Sequence, residues 1–415
     1  MKFNRLSQLF LVSTLGLAVA TLLTSCDIVT IDYIFVADSA GSSAGSAGQI
    51  QTLDSDNGTG ALRTGQPTVS SGGVNPISMT VTSDYANLYV ANAGSSTSAP
   101  NITHFLISGS GVLTAKENVT PVSTPVAVAA NAANTYLYVI SGTTSATLTE
   151  YSLSSGTIGA VVAQANLTIP GYAADTIVPT GIDVLANSGA VFVTAYDQSA
   201  YNPGCVPTPP ATTCITSTAN PGWVFGFSVG TGGSLSPSFG SPYKAGVKPS
   251  AIASDPTNRF VYVTDFASNE LIGYTVQTGS TLDFLLNGPF KTGGEPAAIT
   301  IDPRGLYIYV ANALDSSVTP YTIQLATGTP SSIVNVTGSP IDSTDTQPIA
   351  ILVDASVGRF VYTANHLGNS VSGFELNADT GGLSAATASP FPVGSGPTAV
   401  ASVPHNNHAL EQTTP

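Results

Sequence analysis

The sequence predicts an all-β fold, a seven-bladed β-propeller with four antiparallel strands in each blade. Three observations predict it. A short strand pattern recurs seven times, ending in Phe35-Val-Ala-Asp38, Tyr89-Val-Ala-Asn92, Tyr138-Val-Ile-Ser141, Phe192-Val-Thr-Ala195, Tyr262-Val-Thr-Asp265, Tyr309-Val-Ala-Asn312 and Tyr362-Thr-Ala-Asn365. Its aromatic positions lie 47–70 residues apart, the period of a unit made of several short strands. The chain ends also carry complementary halves of one repeat. The first copy has no strand of its own before it, and Pro397-Thr-Ala-Val-Ala-Ser-Val403 is an inner strand with nothing after it. Pairing these two closes the ring and leaves no exposed edge at the channel.

The N-terminus reads as a signal peptide over residues 1–25. Lys2 and Arg5 precede an apolar run from residue 9 to 23, too short to span a bilayer comfortably. It closes with Leu23-Thr-Ser-Cys26, which resembles a bacterial lipobox. Cys26 is therefore expected to carry a lipid that holds the protein in the cell envelope, facing the periplasm or the exterior. The propeller is expected over residues 26–404 and a disordered tail over residues 405–415.

Within each repeat an inner strand opens on proline, as in Pro249-Ser-Ala-Ile-Ala-Ser254 and Pro296-Ala-Ala-Ile-Thr-Ile301. Proline at a strand's first residue removes no ladder bond. Small residues between branched ones suit the narrowing space near the axis. A turn follows, as in Asp302-Pro-Arg-Gly305, whose composition fits a tight reversal. The aromatic strand comes second. A third alternates, as in Leu271-Ile-Gly-Tyr-Thr-Val276, and a Gly-containing turn leads to an outer strand. The longest connection is an insertion in blade 4, residues 200–222. It holds Cys205 and Cys214, which read as a disulfide in an oxidising compartment, and Trp223 borders it.

Charge narrows the partners. Charged residues make up 8% of the chain and the net charge is −14. Losing Lys2 and Arg5 with the leader leaves 8 basic against 24 acidic residues, or −16. No cluster of Lys and Arg offers itself to phosphates, so nucleic acid is excluded as a partner. His104, His366, His405 and His408 are dispersed, and neither a metal site nor a cofactor is expected. A monomer is expected.

The candidate ligand-binding mouth is the set of turns after the second strands, which brings Asp38, Asn92, Ser141, Asp265, Asn312 and Asn365 to similar heights, with His366 beside the last. Two readings stay open. Each side chain can cap its own turn, or together they can form a polar ring for a sugar, peptide or cation. Arg259, Arg304 and Arg359 fall on turns at the opposite mouth.

The motifs Asp255-Pro-Thr-Asn-Arg-Phe-Val-Tyr-Val-Thr-Asp265, Asp302-Pro-Arg-Gly-Leu-Tyr-Ile-Tyr-Val-Ala-Asn312 and Ser389-Pro-Phe-Pro-Val-Gly394 resemble the seven-bladed lactonase propellers, the family of 6-phosphogluconolactonase and carboxymuconate-lactonising enzymes. They also resemble bacterial surface proteins named for Tyr-Val-Thr-Asn repeats. The resemblance implies the propeller and, for its enzymes, lactone hydrolysis. Those enzymes carry Pro-Arg-His on an inner strand and Asn-Glu-Leu after a second strand. Here the matching positions read Pro249-Ser-Ala251, Pro296-Ala-Ala298 and Pro348-Ile-Ala350, then Thr264-Asp-Phe266, Ala311-Asn-Ala313 and Ala364-Asn-His366. The expected role is thus a binding or scaffolding module for a small molecule, glycan or envelope protein. A lactone or sugar-acid hydrolase is the alternative.

Overall fold

The computed structural model describes residues 29–39, 46–142, 145–169, 176–198, 222–332, 341–342 and 345–405. Seven antiparallel sheets surround an axis, each ordered inner, second, third, outer. Blade 2 shows the plan, with Pro76–Val81, Asn87–Asn92, Asn101–Ile107 and Leu113–Val119. Blade 1 is composite. Its second and third strands are Thr30–Asp38 and Gln49–Asp56, and its inner strand is Pro397–Pro404 from the C-terminus. Phe35 sits opposite Ala401 and Ile34 opposite Ser402, which is the closure expected from the two half-repeats. His405, expected to begin the tail, still packs edge-on against Tyr33 at 5.3 Å. Cys26, the leader, Cys205, Cys214 and residues 406–415 lie outside the described residues.

The second strands fill the joints between blades. Phe35, Tyr89, Tyr138, Phe192, Tyr262, Tyr309 and Tyr362 are all fully buried, and burying each ring contributes roughly 1.5–3 kcal/mol. Four tyrosine hydroxyls then donate to a glycine carbonyl in a turn of the next blade: Tyr89 to Gly156 at 2.6 Å, Tyr262 to Gly328 at 2.6 Å, Tyr309 to Gly381 at 2.8 Å and Tyr362 to Gly60 at 3.0 Å. These four glycines have φ between +63° and +81°, a backbone conformation that a Cβ disfavours.

The outer layer differs from the single strand expected. In five blades it is two fragments, as in Leu282–Phe284 and Phe290–Lys291 of blade 5. In three of the five, blades 4, 5 and 7, the reason lies on the third strand. Gly226, Gly273 and Gly373 face Phe192, Tyr262 and Tyr362. A Cβ at Gly273 would meet the Leu285 side chain at 2.4 Å, so the outer chain folds over the glycine instead of continuing the ladder. In blades 4 and 7 the glycine N–H donates to Ser241 and Ser389 Oγ, each at 3.0 Å. Blades 2 and 3 carry His104 and Glu150 at this position, opposite Tyr89 and Tyr138, and their outer strands run unbroken, Leu113–Val119 and Thr157–Asn166.

Several joints hold buried acids, Glu150 and Asp32 among them. Glu150 is inaccessible to solvent and faces the Tyr138 hydroxyl. Burial pushes its carboxyl up to about 7. At the closing joint Asp32 accepts from Ser356 N (3.1 Å) and Oγ (2.6 Å). Burial, then the neighbouring Asp354 carboxylate, hold Asp32 well above the usual carboxylate range.

Two outcomes follow. A chain ending at Gly396 lacks the inner strand of blade 1 and bares Ile34 and Val36 to the channel. We expect it to lose its cooperative thermal transition, and a wild-type melting profile would refute the closure. For Glu150, the folded chain binds the extra proton between the unfolded value near 4.5 and about 7, so stability falls as pH rises through that window. Glu150→Gln keeps the side chain polar and near-isosteric but cannot ionise. Its stability relative to wild type, read from urea titrations, should grow from pH 4.5 to pH 7, and a constant difference would show that Glu150 does not carry the linkage.

Candidate functional site

The site is built by the inner strands and the turns above them. In all seven blades the register slips at the residue after the inner-strand proline, or its equivalent. Such bulges bend a strand and re-aim its side chains. The bulged residues and the two after each line an axial channel of about 280 Å³. The middle position of each triplet is small, being Ser78, Ala127, Gly181, Ala251, Ala298, Ala350 or Ala399, which is what lets seven strands converge.

Side chains bridge neighbouring inner strands. Ser250 Oγ donates to the Pro296 carbonyl at 2.5 Å and Thr398 Oγ1 to the Pro76 carbonyl at 2.6 Å. Val128 N and Ala130 N donate to Ser78 Oγ and Thr80 Oγ1, at 3.2 and 3.3 Å. Between blades 4 and 5 the acceptor is a carboxylate, Asp183 Oδ2, 2.6 Å from Ser254 N. Burial pushes the Asp183 carboxyl up to about 6, with the Ser254 hydrogen bond opposing.

Two rings crown the channel. The pre-proline residues are Asn75, Thr124, Val178, Lys248, Glu295, Gln347 and Gly396, and the residues closing over them are Ser39, Ala93, Gly142, Tyr196, Phe266, Ala313 and His366. Backbone bonds join them, as from Phe266 N to Lys248 O at 2.9 Å and from His366 N to Gln347 O at 2.8 Å. The Lys248 ammonium lies 4.3 Å from the Phe266 ring centre and 5.8 Å from that of Tyr196. Burial lowers its pKa while Glu295 raises it. His366 Nδ1 is 3.1 Å from the Pro397 carbonyl. A carbonyl only accepts, so Nδ1 donates to it.

The six residues expected to ring this mouth lie one step below it and are shut inside the joints. Asp38, Asn92, Asp265, Asn312 and Asn365 have no exposed surface and Ser141 has 1%. Asp265 accepts from Val247 N at 2.7 Å, Lys248 N at 2.9 Å and Ala267 N at 3.2 Å. Asn312 donates to Ser317 and Thr319, and Asn365 to Ser370 and Ser372. Asn92 donates to Asn101 at 2.8 Å. Asp265 thus clamps the loop that delivers the next inner strand, while the three asparagines tie the second strand to the third strand of their own blade. Gly246, at φ +73°, passes so close that a Cβ would sit 2.1 Å from Asp265 Oδ2. His366, beside them in sequence, does reach the mouth. The Lys248–Phe266–Tyr196 stack and Asp183 were not singled out as site residues. The pre-proline position of Lys248 was the signal for the first; nothing local marks the second. The arginines stay on the far turns, as expected, Arg304 Nε 2.8 Å from Asp302 and Arg259 Nη1 2.7 Å from the Leu325 carbonyl.

Residues 241–398 match the family described as Lactonase, 7-bladed beta-propeller. That stretch holds blades 5–7 and reaches into the closing strand, and the motifs at 255–265, 302–312 and 389–394 all fall inside it. Solved structures extend the likeness to the whole ring. The periplasmic gluconolactonase of Pseudomonas aeruginosa superposes with a TM-score of 0.71 at 16% identity, over 90% of this chain and 99% of that one. A provisionally named 6-phosphogluconolactonase of Bacteroides fragilis gives 0.69 at 14%, over 92% and 99%. Hydrazine synthase of Kuenenia stuttgartiensis gives 0.55 at 16%, over 81% and 93%. No curated protein sequence matches this chain. Identities this low establish the fold, and one fold serves lactone and hydrazine chemistry alike.

Proposed function

We propose that this chain is an extracytoplasmic binding propeller, lipid-anchored through Cys26, which receives an uncharged, hydrogen-bonding ligand such as a sugar or peptide segment at the proline-side mouth. The composition of that mouth carries the reading. Of its seven pre-proline positions, five are neutral, and the other two are one lysine and one glutamate. Lys248 is engaged by aromatic faces, which stabilise the cation in place and suit the stacking of a sugar or aromatic group. A phosphorylated sugar acid would find a single cation there, in a chain of net charge −14.

A second reading, a lactone hydrolase, is favoured by one observation. His366 stands at the mouth with Nδ1 on the Pro397 carbonyl, and an imidazole is the kind of base that water needs to attack a lactone carbonyl. Turnover of gluconolactone and 6-phosphogluconolactone separates the two. We expect no hydrolysis above background and calorimetric binding of a neutral glycan or peptide that Lys248→Ala weakens. Hydrolysis that disappears in His366→Ala would establish the enzyme.

The anchor has its own outcome. The strand Thr30–Asp38 begins at the turn face opposite the mouth, where Thr30 Oγ1 receives Arg63. Four residues from Cys26 to Thr30 reach about 14 Å when extended, so the mouth should point away from the bilayer. Cys26→Ser should move the protein from the membrane fraction to the soluble one, and equal retention would remove the anchor.

A further inference from the structure

We propose that the outer strand of blade 3 is an open edge through which two copies of this chain pair, strand against strand. In five blades the outer layer is two fragments of two or three residues each, too short to template another chain. In blade 2 it is Leu113–Val119, with Lys116 and Glu117 inside it. Blade 3 differs. Its outer strand, Thr157–Asn166, is ten residues long and contains neither charge nor proline, reading Thr-Ile-Gly-Ala-Val-Val-Ala-Gln-Ala-Asn. One edge pairs with Thr147–Ser154, and among the described residues no strand pairs with the other. Soluble proteins guard such edges with Lys, Pro or short strands, and this edge has none of them.

The usable length can be read from its neighbours. Ile158 N donates to Glu117 Oε1 of blade 2 at 2.7 Å, so the turn end is already occupied. Register slips opposite Tyr151 bend the strand between Ile158 and Ala163, while 163–166 run straight opposite 147–150. The open run is therefore 159–166, and its straight half is the part that can extend a ladder.

A second copy is the occupant that fits. Two chains of net charge −14 repel over most approaches, but residues 159–166 bring no charge to meet its own image. A two-fold axis through an antiparallel pair sets each patch against itself. Val161 and Val162, 45% and 39% exposed, are then apolar on both sides. The neighbouring outer strand Leu235–Pro237 packs beside this one and leads through Ser238 to Phe239, which is 88% exposed and extends the apolar border. Main-chain bonds along the edge supply the affinity, as in other strand additions.

The test is sedimentation equilibrium of the full chain in density-matched detergent, over a concentration series. The expected mass rises from one chain to two. Val161→Lys and Gln164→Lys each place like charges across the pair and should weaken association several-fold. Both side chains are exposed, so an unchanged thermal transition shows that the variants fold. A one-chain mass throughout, or a dimer that both variants leave intact, overturns the proposal. A one-chain species whose 163–166 amides become protected only on adding an extended peptide would assign the edge to a strand of another protein, and would overturn it equally.

Discussion

The ring depends on one contact made repeatedly, the aromatic side chain of each second strand pressed into the joint with a neighbouring blade. A single four-stranded blade cannot cover both its faces. Each borrows its neighbours, and the fully buried rings at 35, 89, 138, 192, 262, 309 and 362 are what it borrows them for. Where the ring is tyrosine and the next blade offers a glycine carbonyl, the hydroxyl adds a directed bond of about 1 kcal/mol. That bond fixes how far one blade is rotated on the next, because the donor reaches a single atom. The remaining regularities follow. Glycine stands in the receiving turn of the four joints with that bond, and in blades 4, 5 and 7 a third-strand glycine leaves room across from the ring.

The same demand explains the irregularities. Glycine opposite the ring breaks the outer strand in blades 4, 5 and 7, and a serine hydroxyl or a returning loop takes over the unmet backbone groups. Where a large polar residue stands there, as with His104 stacked on Tyr89 at 5.1 Å or Glu150 beside Tyr138, the outer strand continues and the joint acquires an ionisable group. In blades 2 and 3, continuity at the rim and an ionisable group facing the joint tyrosine are thus two results of one substitution.

Much of this was legible in the sequence because it is local. Proline before small residues announces the inner strand, the Tyr-Val pattern the second, and the unmatched halves at 30–38 and 397–403 the closure. The site was legible only in part. Asp265 and Asn312 looked like a ring facing solvent because position along a strand gives height above the channel. Height does not say that Gly246 or Gly293 from the preceding loop will cover them. That depends on packing between segments distant in sequence, as does the Lys248 stack, where Tyr196 of one blade meets Lys248 and Phe266 of the next. Asp183 is similar, since an acid in an inner strand becomes notable only when Ser254, from the next blade, donates to it.

The composite first blade also sets an order of events. Blades 2 to 7 are each contiguous in the chain, so each can assemble its strands soon after its own residues are free. The strand at 30–38 precedes every other strand of the ring, and it must wait for the last before Ile34 and Val36 gain their partner on the channel side. For all that time the first strand of the ring carries a bare apolar edge, and chains generally fold from the N-terminus onward. The ring therefore finishes where it began, and the interval between its first and last strands is the period in which a folding factor would have most to protect.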